Sequence, residues 1–186
     1  MLFSACLAGK LCGYDGSSYG EYPQMKLLMN LENVKPVYFC PEETEFGTPR
    51  ELCNIHGGNG FDVLAGRARV LTETGVDWTA GMVAGAGKML AFALKHQADL
   101  AILMDTSAAC GSQVIYDGNR TGSEVKYQQG PGVCAALLMQ NNIPVMSQRD
   151  LKTLDLLFQK LDPAYVPDPE AKDHHETDWY RGYFST

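Results

Sequence analysis

Short apolar runs alternate with stretches of helical periodicity along most of the chain. Four runs rich in apolar, β-branched or aromatic residues have the length of buried strands, and they cover residues 2–6, 35–40, 98–105 and 143–147. Between and after them, apolar positions recur at helical spacing in residues 24–31, 77–97, 130–142 and 149–161. This alternation predicts an α/β protein with a three-layer, Rossmann-like architecture, in which helices cover both faces of a mostly parallel sheet.

The remaining segments show neither periodicity. Residues 41–60 and 106–130 are rich in glycine, proline or polar side chains, and we expect them to form loops. The tail at 163–186 contains prolines followed by several aromatic residues, too many for a simply disordered segment. We therefore expect one α/β domain over residues 1–150, with a C-terminal helix and tail at 151–186 that pack on the same domain.

The composition fits such a domain and limits the classes of molecule that it is expected to bind. With 45% apolar residues among 186, the chain can bury a sizeable core. Its net charge of −7 makes nucleic acid an unlikely partner, because non-specific nucleic-acid affinity comes mostly from clustered Lys and Arg. The chain shows no basic region followed by an apolar run at its start, and no apolar stretch long enough to span a bilayer. We therefore expect a cytoplasmic protein with reduced thiols and no membrane partner.

Cysteines in a reducing compartment are buried, reactive or metal-binding. The chain has six, at Cys6, Cys12, Cys40, Cys53, Cys110 and Cys134. No CxxC pair occurs in the sequence, so neither a zinc ribbon nor a thioredoxin-type motif is supported. For Cys12, Cys53 and Cys134 we favour a role as small buried hydrophobes, although the loop position of Cys53 also suits an exposed residue.

The other three thiols follow predicted strands. Cys6 and Cys40 end the first and second strands, and Cys110 comes five residues after the strand that ends at residue 105. Because the carboxyl ends of parallel strands meet at one edge of a sheet, the three should converge there. Each could be a buried hydrophobe by itself, but three thiolates at one edge suit soft metals, above all iron–sulfur clusters.

Several motifs, in order along the chain, resemble one bacterial family. They are "SACLAGKLCGYDG", "FCPEE" with "GTPRE", "GFDVLAGRARV" with "GVDWTAGMVAGA", "SAACGSQVIYDG" and "GPGVCAALLMQNNIPVMS". Over roughly residues 2–150 the chain is similar to the thiouracil desulfurases, a family once catalogued as domain-of-unknown-function family 523. The resemblance implies a [4Fe–4S] cluster held by three cysteines with one open iron, and removal of sulfur from thiolated uracil without net redox.

The resemblance also suggests roles for individual residues. Cys6, Cys40 and Cys110 match the three cysteines that hold the cluster in the family. Glu42, in "CPE", matches the acidic residue that handles protons, and Ser107 matches the active-site serine. With one open iron to bind a thiocarbonyl sulfur, a carboxylate at Glu42 could activate water, and the Ser107 hydroxyl could hold water or substrate.

Other positions match less directly. Asp15 in "YDG" and Asp117 in "IYDG" match further motif positions, either structural or adjacent to the substrate. The family commonly has arginine where this chain has Gly13, and a proline and a serine where it has Ala108 and Ala109. These departures leave the cluster interpretation intact and bear on the choice of substrate.

The leading hypothesis is therefore an iron–sulfur-dependent desulfurase that converts thiouracil to uracil. Two alternatives remain open at this stage: a [4Fe–4S] lyase or hydratase acting on another small molecule, and a non-enzymatic iron–sulfur carrier or sensor. The expected partners are a small thiolated base and the iron–sulfur assembly machinery. Turnover of thiouracil distinguishes the first hypothesis from the other two.

Overall fold

The structure is a computed structural model, and it describes residues 1–19, 22–121 and 124–185. In these residues the strands are β1 (Leu2–Ser4), β2 (Val37–Phe39), β3 (Cys53–His56), β4 (Arg69–Thr72), β5 (Ala101–Leu103), β6 (Val114–Tyr116), β7 (Tyr127–Gln129) and β8 (Val145–Ser147). The α-helices are α1 (Pro23–Met29), α2 (Pro41–Phe46), α3 (Gly60–Leu64), α4 (Thr79–Lys95), α5 (Val133–Gln140), α6 (Leu151–Leu161) and α7 (Asp178–Phe184). Short 3₁₀ helices at Ala5–Ala8 and His174–Glu176 follow β1 and precede α7.

The central sheet of the described chain has four parallel strands in the order β2-β1-β5-β8. Its two inner strands, β1 and β5, consist entirely of buried residues. Phe3 and Ile102, which pair across them, are completely buried. The parallel sheet confirms the predicted α/β class, and β5 confirms the apolar run at 98–105 as an inner strand, although the strand itself is shorter than that run.

The helices lie on both faces of this sheet. The connection from β1 to β2 runs in one direction along the sheet, whereas those from β2 to β5 and from β5 to β8 run in the other. Because crossovers between parallel strands are right-handed, α1 lies on one face and α4 and α5 lie on the opposite face, where they pack together. The end of α6 lies beside the segment that follows α1, since the side-chain amide of Asn33 donates a 3.0 Å hydrogen bond to the carbonyl of Leu161.

Regular structure also occurs where loops were expected, so the loop prediction for 41–60 and 106–130 is wrong in part. The first segment contains α2 and β3, and the second contains β6 and β7. β3 pairs with β4 and β6 pairs with β7, both antiparallel. These strands have three or four residues and include polar ones, such as the buried Asn54, so they are too short to show a two-residue period.

The C-terminal tail contacts the rest of the chain through buried polar groups and aromatic rings. The Asp173 carboxylate accepts hydrogen bonds from the amide and hydroxyl of Thr153 in α6, at 2.8 and 2.6 Å. The Tyr183 hydroxyl in α7 accepts a 2.9 Å bond from the amide of Tyr127 in β7. None of the helices in the described parts of the chain combines the length and apolar character that crossing a bilayer requires.

Candidate functional site

A cavity of about 240 Å³ opens at the carboxyl edge of the central sheet. Residues that follow β1, β2 and β5 line it, together with Arg149 after β8. It lies where the chain leaves the adjacent strands β1 and β5 in opposite directions, the position at which open α/β sheets bind ligands. Five of the six cysteines contribute to the lining: Cys6, Cys12, Cys40, Cys53 and Cys110.

The three thiols expected to converge, Cys6, Cys40 and Cys110, all line this cavity. Cys12, interpreted from the sequence as a core residue, is buried, and its thiol interacts with those of Cys6 and Cys40. The hydrogen bond with Cys40 lowers the pKa of Cys12, but the bond with Cys6 and burial outweigh it and raise that pKa to about 12. The loop after β1 therefore contributes two thiols to the cavity.

Cys40 lies at the start of α2, directly after β2. Its sulfur accepts a 3.4 Å hydrogen bond from the amide of Glu43, and its thiol lies 3.8 Å from the carbonyl of Cys12. The hydrogen bond with Cys12 and burial raise the pKa of Cys40 far above its usual value, although the Glu43 amide opposes them. Potential ligand atoms of Cys12, Cys40 and Glu43 lie within 4.8 Å of one another, an arrangement that can hold a metal ion.

Cys110 is held between the loop after β5 and the end of β1. Its amide donates a 3.1 Å hydrogen bond to the hydroxyl of Ser107, and its sulfur interacts with the hydroxyl of Ser4. Burial raises the pKa of Cys110, and the Ser4 hydroxyl opposes that shift. Because a coordinating metal deprotonates a thiol, such buried neutral thiols can become thiolate ligands when a metal binds.

A carboxylate, a guanidinium and a hydroxyl form a second group in the same cavity. Glu42 Oε2 accepts hydrogen bonds from Arg50 Nη2 at 2.9 Å and Nε at 3.3 Å. Its other oxygen, Oε1, accepts a 3.2 Å bond from the hydroxyl of Ser107. Both oxygens of Glu42 are therefore oriented, in a geometry that suits a general base.

Sequence reasoning missed Arg50, whose only signal was its place in the "GTPRE" motif. Besides binding Glu42, its guanidinium donates to the carbonyls of Cys12 at 3.0 Å, Gly13 at 3.4 Å and Gly47 at 3.1 Å. Burial lowers the pKa of Arg50, but the Glu42 charge outweighs it and the net shift is upward. Arg50 thus ties the thiol-bearing loop after β1 to α2 and its carboxylate.

Aromatic rings and a second arginine also line the cavity. The Arg120 guanidinium carbon lies 4.9 Å from the ring centre of Tyr116 and 5.6 Å from that of Tyr14. Its Nε is buried and has no hydrogen-bond partner among the described residues. Burial raises the pKa of Tyr19 to about 12, against the nearby Arg120 charge, so that phenol is neutral at pH 7.

The two aspartates from the "YDG" motifs lie elsewhere. Asp15 is exposed, and its carboxylate accepts bonds from the amide and hydroxyl of Ser17 at 2.9 and 2.6 Å. Asp117 is also exposed, and its amide donates a 2.9 Å bond to the carbonyl of Lys126. Neither is among the described residues that line the cavity. Cys134, by contrast, is completely buried within α5.

The chain is similar to proteins of one family. The sequence profile of the 2-thiouracil desulfurase family matches residues 1–150. The uncharacterized protein YbbK of Bacillus subtilis (strain 168) is 40% identical over 155 residues, which are 83% of this chain and 99% of that protein. A solved structure of the [4Fe–4S]-dependent thiouracil desulfidase TudS matches with a TM-score of 0.69 and 32% identity, over 86% of this chain and 97% of that one.

Proposed function

This chain belongs to the 2-thiouracil desulfurase family, and we propose that it removes the sulfur atom of 2-thiouracil by hydrolysis. One observation carries the proposal: a single cavity combines the free thiols of Cys6, Cys12, Cys40 and Cys110 with the oriented carboxylate of Glu42. Thiols hold a metal centre that attracts soft sulfur, and a carboxylate activates water. Desulfurisation by water needs both.

The donor set fits a [4Fe–4S] cluster, because such clusters are held by cysteine thiolates. We assign Cys6, Cys40 and Cys110 as the ligands, since each follows a different strand of the sheet and all three line the cavity. Three ligands leave one iron without a protein ligand. That open iron supplies a Lewis acid for the thiocarbonyl sulfur. We assign Cys12 to hydrogen bonding with ligand sulfurs rather than to iron.

Glu42 moves the proton in this proposal. Its carboxylate takes a proton from water as the water oxygen bonds to the ring carbon that carries sulfur. The carbon–sulfur bond then breaks, and the protons released from water leave with the sulfur. A thiocarbonyl and one water become a carbonyl and hydrogen sulfide, with no net redox change.

Ser107 and Arg50 prepare this carboxylate. The Ser107 hydroxyl donates a 3.2 Å hydrogen bond to Glu42 Oε1, and in this position it can hold water or substrate beside the carboxylate. Arg50 holds Oε2 from the opposite side with two N–H groups, and its own side chain is buried. A base held in one orientation loses less entropy when the reaction occurs, so Arg50 contributes to rate through Glu42.

The lining of the cavity suits a planar ring. Tyr14, Tyr19 and Tyr116 offer aromatic faces on which a pyrimidine can stack. Arg120 also lines the cavity, and we assign its guanidinium to donate to the carbonyl oxygen of the base.

The cellular setting belongs to the same proposal. An oxygen-labile cluster and six free cysteines suit the reducing cytoplasm. The cluster would be delivered by the iron–sulfur assembly machinery. The chain's net charge of −7 favours a small free base over a nucleic-acid substrate.

The test is turnover by anaerobically reconstituted protein. Loss of thione absorbance and release of sulfide are followed with 2-thiouracil and, separately, 4-thiouracil. Equal amounts of sulfide and uracil support hydrolysis without redox change. A protein that carries a full cluster and converts neither compound contradicts the proposal, and the lyase and carrier hypotheses then take its place.

A further inference from the structure

We propose that His174, in the C-terminal tail, is a positioning residue for the loop that carries Ser107 and Cys110, and that it acts through Asp105. His174 lies beyond residues 1–150, which the family profile matches. The kinetic part of this inference rests on the proposed desulfurase function. The structural part does not, because it concerns hydrogen bonds that exist whatever the substrate is.

Asp105 fixes the far end of the loop. It lies two residues after the end of β5, and its side chain is completely buried. Oδ1 accepts hydrogen bonds from three successive amides, at 3.0 Å from Ser112 and 3.4 Å from both Gln113 and Val114. One carboxylate oxygen therefore joins the start of the loop to its end.

The second carboxylate oxygen is held by His174. Nδ1 of the imidazole lies 2.7 Å from Asp105 Oδ2, and the hydroxyl of Ser147 lies 3.2 Å from the same atom. A carboxylate accepts only, so Nδ1 carries the proton and donates it. Burial raises the pKa of Asp105, but the interaction with His174 and the backbone hydrogen bonds from Thr106 and Gln113 outweigh it. The pKa of Asp105 therefore lies below its usual range, and the carboxylate is ionised at pH 7.

The tail fixes the imidazole itself. The His174 ring stacks on Trp179, with centroids 5.5 Å apart and planes 10° apart, and the edge of Tyr180 packs against it at 5.5 Å. The His174 amide donates a 3.1 Å bond to Asp150. Nε2 is buried with no hydrogen-bond partner in the described parts of the chain, so the Nδ1–Asp105 bond is the ring's polar link to the site.

The loop in turn sets the catalytic geometry. Ser107 Oγ accepts hydrogen bonds from the amides of Ala109 at 3.2 Å and Cys110 at 3.1 Å, and it faces Glu42 at 3.2 Å. A rotation of Asp105 would release the amides at the end of this loop. The position of Ser107 against Glu42 would then be less well defined, and a displacement of about 1 Å from productive geometry can cost a large factor in rate.

Two substitutions distinguish positioning from packing. In His174→Asn the amide nitrogen takes the place of Nδ1 and can still donate to Asp105, whereas in His174→Gln it takes the place of Nε2 and points elsewhere. The neighbouring His175 is exposed, and His175→Asn is the matched control. Thermal unfolding of all variants identifies any general loss of stability.

The first measurement needs no substrate. Hydrogen–deuterium exchange is followed in the peptide that contains Ser112, Gln113 and Val114. We expect exchange at least tenfold faster in His174→Gln, and close to the wild-type rate in His174→Asn and in His175→Asn. The second measurement is turnover of 2-thiouracil, where kcat should fall about tenfold in His174→Gln with KM nearly unchanged, and recover in His174→Asn.

The outcomes separate the two proposals. Unchanged amide exchange in His174→Gln overturns the positioning role. Equally accelerated exchange in His174→Gln and His174→Asn, in proportion to their lowered melting temperatures, also overturns it, because His174 would then contribute only packing. If exchange changes as expected but the wild type converts no thiolated base, the desulfurase proposal fails and the positioning role stands. Should His174→Gln not fold, Trp179→Leu removes the stacking support and must accelerate the same amides.

Discussion

Glu42 and Arg50 form an ion pair in which the arginine is the more buried partner: 4% of the Arg50 side chain is exposed, against 20% for Glu42. The guanidinium is surrounded by protein carbonyls, while the carboxylate keeps a surface toward the cavity. The two residues therefore have different roles. Arg50 holds the carboxylate of Glu42 in place, and Glu42 remains accessible to a molecule in the cavity.

Replacing Glu42, the proposed base, should lower turnover sharply and leave the iron in place. In Glu42→Gln the side chain keeps its shape but cannot accept a proton, so we expect kcat to fall by about 10²–10⁴-fold. Ser107→Ala should have a milder effect, because the hydroxyl orients rather than accepts the proton. Absorption spectra and iron content should match the wild type. The exposed Glu32→Gln serves as the control, and wild-type turnover by Glu42→Gln would exclude this residue from the mechanism.

Replacing Arg50 should lower kcat because Glu42 loses the partner that holds it. Arg50→Met leaves the carbonyls of Cys12 and Gly47 without their donor, so a loss of about 1–3 kcal/mol in the free energy of unfolding is expected. We also expect kcat to fall further than this instability explains, even at temperatures where the variant is fully folded. Arg67 makes a similar two-nitrogen contact with Asp62 but is 65% exposed, so Arg67→Met is the control and should change neither quantity appreciably.

The thiols should differ in their effect on iron binding. Cys6→Ser, Cys40→Ser and Cys110→Ser should each abolish the [4Fe–4S] spectrum after anaerobic reconstitution, because a hydroxyl is a poor ligand for iron in place of a thiolate. Cys12→Ser should keep its iron, although its thiol is buried among the others. Iron and sulfide analysis measures both outcomes.

Cys134 provides the control for that series. It is completely buried in α5, so its replacement by serine should cost about 1–3 kcal/mol in the free energy of unfolding, because a hydroxyl is then buried in the core, and it should leave iron binding unchanged. Equal iron loss in Cys134→Ser and Cys110→Ser would contradict the ligand assignment. Loss of iron in Cys12→Ser, with retention in one of the three assigned ligands, would reassign that ligand to Cys12.

Arg120 should affect binding of the base more than the chemical step. Arg120→Met retains some of the contact with the rings of Tyr14 and Tyr116 but removes every N–H donor. We expect KM for 2-thiouracil to rise about tenfold with a smaller change in kcat, the value of one lost hydrogen bond to a charged group. The exposed Arg181→Met is the control. A fall in kcat at constant KM would instead place Arg120 at the reacting atoms.

Acid should destabilise the fold partly through Asp105. Its folded-state pKa lies below the reference value of 3.8, so its stabilising contribution is complete above about pH 4 and is lost as the pH falls toward the lower folded-state pKa. Asp105→Asn removes this dependence. Unfolding by urea between pH 6 and pH 3 should therefore show a smaller slope of stability against pH for the variant. Identical slopes would mean that Asp105 has the same pKa in the folded and unfolded states.

The sequence by itself determined the α/β class and the family. Alternation of apolar runs and helical periods is a property of consecutive residues, and the folded sheet confirms the class that it predicted. The resemblance of the ordered motifs indicated the family, which the family match confirms. Placing Cys6, Cys40 and Cys110 at one edge needed one more rule, that parallel strands end on the same side. The short strands β3, β6 and β7 escaped detection because three or four residues carry too little periodicity.

Only the tertiary structure decided which other side chains meet these residues. Arg50 reaches Glu42 and Cys12, and His174 reaches Asp105 across 69 positions of sequence, because the fold brings their loops together. No pattern of neighbouring residues encodes such contacts. The partner of a buried guanidinium or imidazole is far away in the sequence, and only the folded chain brings the two together. The same holds for Cys12, whose place beside the thiols of Cys6 and Cys40 depends on how the loop after β1 folds.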